Sequence, residues 1–100
     1  MAFEMVTLSL CREKQLEISA INSGYCFDWA QRVRQRCPAA EIYYVRRFIP
    51  HAFILFAGRW FDATAPLGVT QWQRLPLFRP LGAVIHQVPV NLWMPGDKYW

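Results

Sequence analysis

The sequence predicts an α+β domain in which N-terminal helices pack on an antiparallel β-sheet. Three observations carry this. Apolar residues recur at helical spacing, with few Gly or Pro breaks, as far as Cys37-Pro38. Beyond Pro38, β-branched and aromatic residues gather in short runs bounded by turn residues. The strand-like runs follow the helices instead of alternating with them, which is the order of α+β rather than βαβ chains.

The elements follow in order. Between Thr7 and Ile21, Leu8, Cys11, Ile18 and Ile21 stand three or four apart or at multiples of that, and Arg12 to Glu17 supply a polar face, as in an amphipathic helix; the alternation of Val6, Leu8 and Leu10 also allows a strand start. Asn22-Ser23-Gly24 is a stop and turn. A second helix is expected from Cys26 to Arg36, ended by Cys37-Pro38, with Asp28 in its first turn and arginines in its last, as the helix dipole favours. Glu41 to Ile49, His51 to Phe56 and Trp60 to Ala63 read as strands. Ala57-Gly58-Arg59 between the last two makes a hairpin turn. Gln71 to Leu75 reads as one helical turn and Ala83 to Val88 as a fourth strand, before an irregular aromatic tail.

The chain has 100 residues, of which 54% are hydrophobic, 16% aromatic and 18% charged. That length gives a single domain, residues 1–100, and the composition is the opposite of a disordered chain's. A core of this size cannot hide so many rings, so some aromatics, above all those from Trp72 to Trp100, are expected to line a groove or a subunit contact. No apolar stretch of membrane-spanning length is free of charge or proline, and no basic segment precedes an apolar run at the start, so no membrane partner is expected. Three cysteines without CxxC spacing read as reduced thiols, which places the chain in the cytoplasm. Cys11, Cys26, Cys37, His51 and His86 match no compact zinc spacing, so neither a metal nor another cofactor is expected. The net charge of +4 permits nucleic acid, but the basic residues form no block.

Thiol chemistry requires a thiolate, an imidazole within reach and a third group that fixes the imidazole's tautomer. Cys26 falls at the expected start of a helix, where unpaired N–H groups favour negative charge. A two-residue loop at Ala57-Gly58 sets Phe56 opposite Arg59, Phe53 opposite Asp62 and His51 opposite Thr64. His51 and Asp62 are then diagonal neighbours on one face, about 7–8 Å apart at the backbone. A one-residue slip would send them to opposite faces.

These residues resemble a known superfamily. Gly24-Tyr25-Cys26-Phe27-Asp28-Trp29-Ala30 is similar to the nucleophile segment of papain-like cysteine hydrolases. His51-Ala52-Phe53 leading through Gly58-Arg59-Trp60-Phe61-Asp62 resembles the transglutaminase-like pattern, in the same Cys, His, Asp order. The resemblance spans roughly residues 20 to 68 and extends to small bacterial and phage proteins in which Asp-Ala-x-x-Pro-x-Gly-Val follows the second strand. It implies a minimal papain-like fold and a thiol-dependent hydrolase or acyl transferase acting on an amide or peptide bond, with Cys26, His51 and Asp62 catalytic. The papain-type Cys-Gly-(Ser/Ala)-Cys signature is absent, and no Gln stands a few residues before Cys26. Asn22 is the nearest side-chain donor for an oxyanion, the Cys26 N–H being the other, and Trp29 and Trp60 are expected to shape the acyl site. The expected partner is a peptide or protein substrate, with a second copy of the chain completing the cleft. The alternatives are a non-catalytic protein-interaction module on the same scaffold, carried by a phage or another mobile element, and a small basic nucleic-acid binder.

Overall fold

A computed structural model describes residues 3–97. The fold is α+β, with helices against a five-stranded antiparallel sheet. Helix α1 (Phe3–Lys14) buries Phe3, Val6, Thr7 and Leu10, an i, i+3, i+4, i+7 stripe. The expected stripe through Leu8 is out of phase with this, and Leu8 is 54% exposed. The helix ends earlier than expected because Gln15 takes φ 56°, and α2 (Ile18–Ile21) is a separate turn. Helix α3 (Cys26–Arg36) matches its expected bounds and buries Cys26, Phe27, Trp29, Ala30 and Val33. The Trp29 indole N–H donates to Thr7 Oγ1 at 2.8 Å, tying α3 to α1.

Strands β1 (Glu41–Val45), β2 (His51–Phe56), β3 (Arg59–Asp62), β4 (Ala65–Val69) and β5 (Asn91–Trp93) lie in the order β4-β3-β2-β1-β5. The expected hairpin register is present, with Phe56 opposite Arg59 and Ile54 opposite Phe61. Ala57 and Gly58 have φ 52° and 76°, the positive values a twist-matched two-residue turn needs. β1 stops at Val45, which pairs with His51, so residues 46–49 form a loop and not the expected strand extension. Pro66 and Gly68 hide β4 from a propensity reading, yet both are tolerated on an edge strand.

The strand expected over Ala83–Val88 is a further correction. Arg79–Gln87 forms 3-10 turns kinked at Gly82 (φ 60°), since Pro80 removes an N–H and Gly82 supplies the reversal. The expected helical turn is present as Trp72–Arg74.

Each sheet face carries its own core. On one, α1 and α3 cover Ile42, Ala52, Ile54 and the partly buried Phe61. On the other, Trp72, Leu75, Phe78, Ile85 and Val88 cover Val45 and Phe53. Trp72, Phe78 and Trp93 are therefore core residues and not the groove lining expected of the C-terminal aromatics; Tyr99 and Trp100 lie outside the described residues. Among the described residues no helix is long and apolar enough to cross a membrane.

Candidate active site

Cys26, His51 and Asp62 come together at one end of the sheet. Cys26 opens α3 on the helix-covered face. His51, the first residue of β2, shares its face with Phe53, and its ring packs on those of Phe53 and Phe78 at centroid distances of 5.7 and 5.4 Å. Asp62 closes β3 diagonally across the hairpin, and His51 Nε2 lies 2.9 Å from Asp62 Oδ2. His51 and Asp62 are 0% and 1% exposed, so water does not weaken this contact. With a carboxylate as acceptor, Nε2 carries the proton and Nδ1 is left as the basic nitrogen.

Nδ1 makes no aligned hydrogen bond among the described residues, while the Cys26 side chain helps to hold the imidazole's pKa up. Such contacts are commonly loose before substrate binds. Burial pushes the Cys26 thiol up, but the His51 imidazole and the backbone amides of Ala52 and Phe27 outweigh it and bring the thiol below its ordinary 9.0. Burial pushes His51 down, and the Asp62 and Cys26 side chains overcome that, holding the imidazole above its ordinary 6.5. Both displacements favour a thiolate beside an imidazolium.

Thr64 is a member of this network that the sequence reading passes over. Its backbone N–H and its hydroxyl both donate to Asp62 Oδ1, at 2.9 and 2.8 Å, leaving Oδ2 for His51. The signal was local: an Asp two residues before a Thr forms an Asx-type turn. Asn22 Nδ2 in turn donates to Thr64 Oγ1 at 3.2 Å. The hydroxyl has only one proton, which goes to Asp62, so the amide must be the donor in this bond. Asn22 therefore connects to the triad through Thr64, and one of its amide protons is held away from the oxyanion role expected of it.

An open cleft of about 1270 Å³ runs beside Cys26. Its lining includes the polar Gln31, Arg32 and Gln35 of α3 and the apolar Ile49, Pro50 and Leu77. Of the triad, Cys26 alone lines it, at 7% exposure. Neither tryptophan expected at the acyl site is there. Trp29 is buried between α1 and the sheet, and Trp60 packs on Tyr43 and Phe53 on the far face. Cys11 and Cys37 are free thiols outside the cleft lining, and no group of three or more metal-ligating side chains occurs among the described residues. Comparison of the chain with protein-family models, with curated proteins and with solved structures finds no match.

Proposed function

We propose that the chain is a thiol-dependent hydrolase or acyl transferase acting on an amide or peptide bond, in keeping with its resemblance to papain-like and transglutaminase-like proteins. The observation that carries the reading is the buried Asp62–His51 contact combined with a Cys26 thiol whose depressed pKa depends on that imidazole. The Cys26 sulfur, its proton passed to His51 Nδ1, attacks the substrate carbonyl. A C–S bond forms, and the carbonyl electron pair moves to oxygen. The Cys26 backbone N–H, at the start of α3, stabilises that oxygen. As the tetrahedral centre collapses, the C–N bond breaks and the leaving amine takes the proton from His51, giving a thioester. Water or an acceptor amine, deprotonated by His51, then releases the acyl group and regenerates the thiol.

The test is the pH dependence of Cys26 alkylation by iodoacetamide, read by peptide mass. Cys26 should gain reactivity at a pH below that of an ordinary thiol, because its pKa lies below 9.0 and His51 remains protonated above 6.5. In His51→Ala the imidazole is gone while the burial remains, so the onset must move up. An ordinary profile that His51→Ala leaves in place rules the proposal out.

A further inference from the structure

The loop that joins β1 to β2 spends free energy that the fold does not return. Ile49 N–H donates to Arg47 O at 2.8 Å, closing a three-residue γ-turn around Phe48. Phe48 sits at φ 65°. A γ-turn with positive φ at its centre is the rare, strained form, and an L-aromatic residue there is held against its backbone preference. Packing does little to offset this: Phe48 is 59% exposed, and among the described residues its ring meets the Arg47 guanidinium 5.8 Å away. An exposed pairing of that kind contributes little. Gly or Asn would make the same turn without strain, and a polar residue would suit the exposure better.

The position of the turn gives the strain a use. Phe48 adjoins Ile49 and Pro50, which line the cleft, and Pro50 adjoins His51. Pro50 has a fixed φ and restricts Ile49 to extended geometry, so the turn is joined stiffly to the wall and to the base. Ile49, Pro50 and Leu77 are apolar members of the cleft lining. From this we infer that the γ-turn holds Phe48 at the rim of the cleft as the contact for an apolar side chain of the acyl substrate. The substrate class is thereby a peptide with a large aliphatic or aromatic residue at the carbonyl that Cys26 attacks. The inference deepens the proposed thiol chemistry and rests on it.

The experiment uses two reagents on the whole protein, acetyl-alanyl-leucyl and acetyl-alanyl-glycyl chloromethyl ketone. In each, the Cys26 sulfur displaces chloride, and the rate is read by peptide mass at Cys26. The leucyl reagent should label the natural protein faster by about tenfold or more, the order of discrimination an apolar contact supplies. Phe48→Gly should reduce that ratio to below about threefold without lowering the thermal midpoint, since Gly relieves the positive φ. Phe48→Asn, which also tolerates that φ, should behave alike and guards against a folding defect in the first variant. Equal labelling of the natural protein by the two reagents, or a ratio unmoved by both substitutions, overturns the inference. So does a clear fall in thermal midpoint for both variants, which would make the ring a structural contact. The ratio is read on whatever reactivity Cys26 has, whereas the proposed catalytic reading fails separately, through the His51→Ala profile.

Discussion

The two faces of the sheet are covered by different means. On one, α1 and α3 satisfy their own backbones and offer regular stripes of side chains. On the other, residues 72–88 contribute only 3-10 turns, and rings fill the space: Phe53 stacks on Trp72 at 5.8 Å, with Phe78 edge-on to both at 5.6 and 5.3 Å. Covering a sheet demands apolar volume in the right place and not a regular element above it. The difference also divides the candidate site. The thiol belongs to the helical layer, while the imidazole and carboxylate face the irregular one.

Removing the key ring from the irregular face tests that division most strongly. Phe78→Ala should cost roughly 3–5 kcal/mol, about as much as or more than Leu10→Ala in the helical layer at roughly 2–5 kcal/mol, as measured by urea unfolding. Phe78 also packs on the His51 ring. Under conditions where both variants remain folded, Phe78→Ala should shift the pH at which Cys26 reacts, and Leu10→Ala should not. Equal displacement in the two would dissolve the asymmetry.

A smaller effect is expected within the site. Asp62→Asn keeps the shape but removes the charge that holds His51 protonated, so the thiolate–imidazolium population at neutral pH should fall by roughly tenfold to a hundredfold, the range for a hydrogen bond to a charged group. Alkylation of Cys26 at pH 6.5, the ordinary imidazole value, reads this directly, and an unchanged rate would mean that the carboxylate is structural only. Smallest is Thr64→Val, which removes one of the two bonds to Asp62 Oδ1. It should cost about 0.5–1.5 kcal/mol in urea and shift the Cys26 profile slightly upward. Thr64→Ser, which keeps the hydroxyl, should restore both.

What could be read in advance was set by nearby residues. The 51–62 hairpin register follows from Ala57-Gly58 and from period-two alternation, and α3 follows from its breakers and end charges. α1 was misphased because Leu8 and Leu10 are equally apolar, and only contact with α3 and the sheet decides that Leu10 is buried. Val84, Ile85 and Val88 suit a strand by composition; Pro80 and Gly82 divert the chain first. Cys26, His51 and Asp62 were visible as residue types in a spacing. The cleft walls were not, since Trp29 and Trp60 look like acyl-site aromatics until the two cores claim them.

The backbone of β2 passes between the layers that hold the nucleophile and its base, with Ala52 N–H turned to the Cys26 sulfur and the His51 ring resting on Phe78. The proposed thiol chemistry therefore needs both α3 and the 51–62 hairpin in place. A chain still emerging from synthesis, with β2 not yet made, should then carry Cys26 as an ordinary sulfhydryl. On the proposed function, labelling of Cys26 at a pH below that of an ordinary thiol would gauge whether the 51–62 hairpin has docked on α3.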